Sequence, residues 1–178
     1  MSDLEDNLPA NAPPPEGRPG ANDPRTVAGG PIIPVEGIAA DELTDTFLDA
    51  RGGGRVHEGI DIMAPTGTRV VAMAPGTVAK LYREGPGGNS IYVRSPDRLQ
   101  VHYYAHLDAY APSLREGQQV RAGQQLGTVG SSGNADPAAP HLHLEIMRTS
   151  ADASWWEPSN AVNPYPILRE ARTVSATR

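Results

Sequence analysis

The sequence from Val70 to Tyr82 reads VVAMAPGTVAKLY. It begins with a short apolar run, continues with the turn signal Ala74-Pro75-Gly76, and then alternates apolar and polar residues up to Tyr82. Alternation with a period of two is typical of a β-strand, because successive side chains point to opposite faces. This stretch therefore predicts two strands that are joined by a turn.

Segments of the same kind lie on both sides of this stretch, and turn signals rich in Pro and Gly separate them. The strands that we predict cover residues 60–63, 70–73, 76–82, 90–93, 101–107 and 141–147. Short strands at this spacing are typical of a mainly β domain with a sandwich or barrel-like sheet. We predict one short helix, around Asp41 to Leu48. After Arg148 we expect Trp155, Trp156 and the residues 164–168 to pack the chain back onto the body of the domain.

The first part of the chain has a different composition. Residues 1–30 are rich in Pro, Gly, Asn and acidic groups and poor in large apolar residues, which predicts a disordered leader. We place the folded domain at residues 31–170 and a C-terminal tail at residues 171–178. No segment reads as an export signal or reaches the length of a membrane span.

Charge and cysteine content exclude several classes of function. The chain has 178 residues and a net charge of −6, which argues against a nucleic-acid binder because such proteins carry a basic face. It contains no Cys, so disulfides, thiolate metal sites and a cysteine nucleophile are excluded. Any metal ion must therefore be held by His and carboxylate side chains.

Two of the five histidines, His141 and His143, are two residues apart in a predicted strand. Side chains at this spacing share one face of a strand, with Cα atoms about 6.6 Å apart, so both imidazoles can converge on one pocket. Leu142 and Leu144 would then enter the core. The alternative is a solvated pair of histidines on an edge strand.

His57 and Asp61 are four residues apart, which is about 13 Å in a straight strand and too far for one metal ion. Gly59 lies between them and permits a bend that closes this gap. The alternative is a surface loop with an incidental Asp. Together with either His141 or His143, the two residues form a set of three N and O donors, which is typical of catalytic zinc sites with an open position.

The spacing does not decide which histidine of the pair 141 and 143 is the metal ligand. The other one would lie beside the open position, where His106, near the end of a predicted strand, is a further candidate. We assign His102 a structural role and treat Glu58 as a surface residue.

These residues resemble the lysostaphin-type (LytM-like) zinc endopeptidases, which act on bacterial peptidoglycan. Five elements in the right order carry the resemblance, and they lie at residues 57–62, 64–68, 104–107, 117–130 and 140–145. The resemblance implies antiparallel sheets with a zinc-floored groove, peptidoglycan peptides as the substrate and a location outside the cytoplasm. By position it implies His57, Asp61 and His143 as zinc ligands and His106 and His141 as catalytic histidines.

The chain departs from the family pattern at three places. Leu144 stands where the family often has Phe, and the segment Phe47–Arg51 replaces the usual Phe-Gly-x-Arg. The loop from Gly133 to Pro140 is longer than in common members, and it favours directly linked stem peptides over glycine bridges as the substrate.

Two other classes of protein share parts of the pattern. A catalytically silent relative would act as a wall-binding scaffold or as an activator of another hydrolase, but such proteins typically lose ligands, and all five positions are present here. Biotinyl and lipoyl carrier domains need an acceptor lysine on a tight turn. Lys80 is the only lysine and lies in a predicted strand, which excludes a carrier domain.

Overall fold

A computed structural model of the chain describes residues 29–157 and 159–176, and within them nine strands form one sheet. The strands are β1 (Ile60–Met63), β2 (Arg69–Val71), β3 (Gly76–Tyr82), β4 (Asn89–Arg94), β5 (Gln100–Tyr110), β6 (Gln119–Val120), β7 (Gln125–Val129), β8 (His141–Arg148) and β9 (Asn160–Val162). A short helix, α1 (Pro164–Arg169), follows β9.

The sheet has the strand order β1-β8-β5-β4-β3-β6, while β7 pairs with β5 and β2, and β9 pairs with β8. Every pairing between these strands is antiparallel. The predicted mainly β, antiparallel fold is confirmed. The sheet stays open and does not close into a barrel.

Strand β8 shows how the alternating sequence separates the core from the cleft. Leu142, Leu144 and Ile146 are at most 2% exposed and belong to the hydrophobic core. The intervening residues His141, His143 and Glu145 line a cleft on the opposite face of the strand. The predicted direction of the two leucines is therefore confirmed.

The segment before the first strand differs from the predicted helix. It forms only a short 3-10 turn, Ala40–Glu42, and then extends. Asp45 Oδ1 accepts a hydrogen bond from the backbone N–H of Phe47, and a side chain that bonds its own backbone competes with helix formation. In addition, Thr46 bonds both His57 and Asp61, which holds this segment against β1.

The chain after β8 packs back onto the sheet, as predicted, but not through every aromatic residue. Trp155 contacts Tyr82 and Tyr92 with ring centroids 5.4 and 5.1 Å apart, and Leu168 in α1 is fully buried. Trp156 is 68% exposed, so its predicted packing is wrong. Strand β9 and helix α1 were not predicted.

The domain boundaries stay predictions. Residues 1–28 of the predicted leader lie outside the described residues, and Arg172 of the predicted tail pairs with Ile32 next to the body of the domain. In the described part of the chain, no helix has the length and apolar character that a membrane crossing requires.

His102 lies on the core side of β5 and is 3% exposed. Its Nε2 is 3.4 Å from Gln100 Oε1, and its Nδ1 has no hydrogen-bond partner among the described residues. Burial lowers the pKa of His102 from 6.5 to about 4, because a charged imidazole loses its hydration there. These contacts agree with the structural role assigned to His102.

We expect His102 to make the fold sensitive to acid. Between about pH 6.5 and about pH 4, His102 is protonated in the unfolded chain but not in the folded chain. The free energy of unfolding therefore falls as the pH falls through this range. At about pH 5 this difference amounts to about 2 kcal/mol of unfolding free energy. Urea unfolding with a chelator present should be measured at about pH 7.5 and about pH 5. The free energy of unfolding should fall between these pH values by about 2 kcal/mol less in His102→Leu than in wild type. An equal drop in both proteins would contradict the prediction.

Candidate active site

The loop before β1 bends at Gly59 and brings His57 next to Asp61. His57 Nε2 lies 3.1 Å from Asp61 Oδ1, so the predicted closing of the gap is confirmed. Gly59 has a second function that the sequence did not indicate. A Cβ atom at this position would lie 2.3 Å from the carbonyl oxygen of Leu144, so only glycine lets the loop approach β8 this closely.

His143 joins this pair because β1 and β8 are neighbours and Asp61 lies directly opposite His143 in their register. His143 Nδ1 is 3.1 Å from Asp61 Oδ1 and 2.8 Å from His57 Nε2. Three donor atoms from three side chains thus form a small triangle. Ligands at about 2.0–2.1 Å from a tetrahedral zinc ion lie about 3.3 Å apart, so the triangle matches a metal-binding set.

The other ring nitrogen of each histidine is held by an acceptor. His57 Nδ1 donates to the carbonyl of Thr46 at 2.7 Å, and His143 Nε2 donates to Glu145 Oε1 at 2.8 Å. These bonds fix the tautomers, so that the lone pairs of His57 Nε2 and His143 Nδ1 both face Asp61. Three electron-rich atoms that face one another require a cation or a proton between them.

The protonation of the cluster agrees with this requirement. Burial alone would raise the pKa of Asp61. When a proton lies between these atoms, hydrogen bonds with His143, His57 and Arg51 outweigh the effect of burial and lower this pKa well below the usual range. Burial alone would lower the pKa of His143, but hydrogen bonds to Asp61 and Glu145 raise it to about 9. The site therefore attracts positive charge, and the residues present fit a divalent metal ion.

His141 and His106 lie beside the triangle. His141 Nε2 is 3.7 Å from Asp61 Oδ1. The ring centroids of His141 and His106 are 5.0 Å apart. His141 Nδ1 donates to the carbonyl of Ala139, and His106 Nδ1 donates to the carbonyl of Ser132, each at 2.8 Å. Both histidines therefore keep a free lone pair on Nε2. Burial lowers the pKa of His106, with a further contribution from the neighbouring histidines, which favours the neutral form of its ring.

His106 reaches the site through an irregular backbone. Its φ is 60°, and the backbone N–H donates to the carbonyl of Gly87 at 2.8 Å. At this point β5 changes its partner: Ala105 is the last residue paired with β8, and Leu107 pairs with β7. A non-glycine residue in the left-handed region is held there by its surroundings and is often found at functional sites.

All five predicted site residues line one open cleft of about 720 Å³. Its walls also include Arg51, Gly54 and Arg55, the segment Asn134–Asp136, and Tyr103 from β5. Tyr103 lies with its ring centroid 6.1 Å from that of His143. The donor set is therefore open to a ligand that enters from solvent.

Comparison with known proteins identifies the family of this chain. The family model described as peptidase family M23 matches residues 55–164, which include every predicted site residue. The chain belongs to peptidase family M23. It is thus a hydrolase of a metallopeptidase family.

Individual M23 relatives and structures support this result. The L-Ala–D-Glu endopeptidase of Bacillus subtilis is 37% identical over 131 residues, which cover 70% of this chain and 38% of that protein. The DD-carboxypeptidase/endopeptidase Mpg of Neisseria meningitidis is 38% identical over 117 residues, which cover 66% of this chain and 25% of that protein. The catalytic domain of lysostaphin from Staphylococcus simulans has a TM-score of 0.62 at 29% identity, and the match covers 74% of this chain and 96% of the domain.

Three further residues of this M23 site had no role assigned from the sequence. Glu145 continues the alternation of His141 and His143 on the cleft face of β8, so strand periodicity contains a signal for it. Arg51 Nη2 lies 2.6 Å from Asp61 Oδ2, and Thr46 bonds His57 and Asp61. Residue alternation marks neither Arg51 nor Thr46, because only the tertiary fold brings them to the cluster.

Proposed function

We propose that this chain is a zinc-dependent endopeptidase that hydrolyses peptide bonds in peptidoglycan stem peptides or cross-links. The convergence of His57 Nε2, Asp61 Oδ1 and His143 Nδ1 in an open cleft carries the proposal. Three nitrogen and oxygen donors with an open side are typical of catalytic zinc sites, whereas structural sites close the fourth position. Membership of peptidase family M23 gives this set a hydrolytic context.

The residues present would hold zinc through His57, Asp61 and His143. Zinc bound by such a set acidifies water and polarises a carbonyl group as a Lewis acid. Thr46 and Glu145 fix the orientation of the two imidazoles, and Arg51 occupies the second oxygen of Asp61. This leaves one carboxylate oxygen, Oδ1, for the metal.

The two flanking histidines would handle protons. We assign His141 as the general base, because its free Nε2 lies beside the donor triangle. It can accept a proton from the attacking water and then donate this proton to the leaving amine. With its Nδ1 bonded to the carbonyl of Ser132, His106 can accept a hydrogen bond at Nε2, which favours a function in orienting the water. Both histidines are anchored through Nδ1, so little reorganisation is needed during the reaction.

The substrate assignment rests on the relatives and on the cleft. One relative is named an L-Ala–D-Glu endopeptidase and another a DD-carboxypeptidase/endopeptidase. The loop from Gly133 to Pro140 supplies Asn134, Ala135 and Asp136 to a wall of the cleft. We propose stem peptides with direct cross-links as the preferred substrate, and a location outside the cytoplasm, where peptidoglycan is found.

Metal analysis and digestion of purified peptidoglycan test the proposed function together. We expect about one zinc ion per chain after reconstitution, and peptide fragments identified by mass from directly cross-linked and glycine-bridged material. The chelated protein is the control and should release no fragments. Less than about a tenth of an equivalent of zinc would overturn the metal assignment. Stoichiometric zinc without fragments would favour the silent scaffold.

Glu145 is expected to strengthen zinc binding through His143. Its carboxylate accepts the Nε2 proton of His143 at 2.8 Å, and loss of such a partner typically lowers metal affinity by about 10- to 100-fold. Competition with a chromophoric chelator should show this loss for Glu145→Ala and a smaller loss for Glu145→Gln, which keeps an acceptor oxygen. Glu58→Ala removes an exposed carboxylate of the same cleft and is the matched control. Unchanged affinity in Glu145→Ala would contradict the prediction.

A further inference from the structure

A short hairpin at the rim of the cleft, residues 50–56, brings two arginines together. Ala50 and Val56 form an antiparallel bridge, and the backbone N–H of Arg51 donates to the carbonyl of Arg55 at 2.9 Å. Residues directly opposite each other in an antiparallel pair project from the same face. Arg51 and Arg55 therefore lie side by side, and both line the cleft that contains the donor triangle.

The tip of this arginine hairpin consists of glycine alone. Gly53 and Gly54 have φ values of 78° and 75°, which residues with a side chain adopt only with strain. A Cβ atom at Gly52, Gly53 or Gly54 would meet nothing within 4 Å, so the tip is open to solvent and to a ligand. The glycines thus allow the tight turn that places the two arginines opposite each other.

In the described chain, Arg51 has a carboxylate partner, whereas Arg55 has only a backbone carbonyl. Arg51 Nη2 lies 2.6 Å from Asp61 Oδ2, whereas Arg55 donates only through Nε, to the carbonyl of Gly52 at 3.2 Å. Among the residues that the structure describes, the terminal nitrogens of Arg55 have no recorded partner. Like charges directly opposite each other destabilise a strand pair. The arrangement therefore favours an anion that comes from outside the chain.

Apart from Asp61, which pairs with Arg51, the acidic residues that the structure describes in the cleft do not pair with either arginine. Glu145 bonds His143, and Asp136 Oδ1 accepts a hydrogen bond from the backbone N–H of Ala138. Glu58 is exposed, and no contact between it and either arginine is recorded in the described chain. The planar guanidinium group binds carboxylates with two parallel hydrogen bonds, which makes a carboxylate the best match for Arg55.

We propose that the arginine hairpin binds a free carboxylate of the peptide substrate, with Arg55 as the main contact and Arg51 as support. The inference rests on the proposed function, since it places the carboxylate on a peptide that crosses the zinc site. It makes the chain selective for acidic peptides over uncharged ones. The carboxylate is either a side-chain or branch carboxylate within the stem peptide or the carboxylate at the end of its chain.

The test uses the zinc-loaded protein and three forms of a directly cross-linked stem-peptide dimer. One form keeps all carboxylates free, a second has its internal carboxylates amidated, and a third has its terminal carboxylates amidated. We expect wild type to cleave the free form with a kcat/KM about 10-fold higher than one of the amidated forms, and that form identifies the source of the carboxylate. The difference should lie mainly in KM, because the carboxylate takes no part in bond breaking and is bound equally in the ground state and the transition state.

Substitution of Arg55 separates its contribution from general effects of charge. Arg55→Gln should raise KM for the free form and reduce the preference for the free over the amidated peptide to about 2-fold or less. Arg55→Lys should retain part of this preference, because lysine keeps the positive charge but cannot donate the two parallel hydrogen bonds of a guanidinium group. Arg115→Gln removes an exposed arginine outside the cleft and should leave the preference unchanged. Zinc content and circular dichroism verify that each variant is folded and loaded.

The outcomes distinguish this inference from the proposed function. Equal cleavage of all three forms by wild type, or an undiminished preference in Arg55→Gln, overturns the carboxylate site while the endopeptidase function stands. If wild type cleaves none of them, the proposed function fails, and fluorescence titration with the same peptides decides the inference. Binding about 10-fold weaker in Arg55→Gln than in wild type then supports the carboxylate site, and equal binding overturns it.

Discussion

Replacement of His57 by Ala, or of Asp61 by Asn, is expected to abolish zinc retention and to lower kcat/KM on peptidoglycan fragments by more than about 10³-fold. Each change leaves two strong ligands, which hold zinc poorly at a site that needs three. Asp61→Asn is the sharper variant, because it keeps the size of the side chain and an oxygen facing Arg51 while removing the negative charge. Metal analysis after dialysis and a fragment-release assay measure both effects.

The fold of these variants must be checked, since His57 is 5% exposed and its removal leaves a small cavity. Glu58→Ala changes the neighbouring residue in the same loop and should keep both zinc and activity. Thermal unfolding with a chelator present separates loss of a ligand from loss of the fold. Full activity in His57→Ala or Asp61→Asn would show that the ligand assignment is wrong.

The part of the site on β1 and β8 was accessible from the sequence, because it depends on local geometry. The alternation from His141 to Glu145 defines one face of a strand wherever that strand lies in the fold. Gly59 permits the bend that brings His57 to Asp61, and the structure adds the close approach to Leu144 that requires glycine there. Only the pairing of β1 with β8 required the tertiary structure.

His106 shows where strand periodicity fails. In a regular strand it would share the face of His102 and Tyr104, which lie on the core side of β5. The left-handed φ at His106 and the change of partner strand at the same place turn its ring into the cleft instead. Such a break depends on which strands become neighbours. The position of His106 near the end of a predicted strand makes it a candidate, and its catalytic role follows only from the resemblance to a family.

The pair His141 and His143 is where resemblance and geometry are tested most directly. We expect His143→Ala to release zinc and His141→Ala to keep it while kcat falls by about 10²-fold or more. The geometry supports this contrast, because His143 Nδ1 lies 3.1 Å from Asp61 Oδ1, whereas His141 Nε2 lies 3.7 Å away. His106→Ala should resemble His141→Ala. Zinc stoichiometry and hydrolysis rate, measured on the same preparations, compare the three variants.

The comparison within this pair carries its own control, since both histidines lie on the same face of β8 and are exposed to a similar degree, 14% and 13% for their side chains. A general loss of structure would therefore affect the two variants alike. A difference in zinc content has to arise from their positions relative to Asp61 and His57. If His141→Ala loses the metal and His143→Ala keeps it, the two assignments are reversed. His143 would then be the base, and its hydrogen bond to Glu145 would increase its basicity rather than strengthen a metal bond.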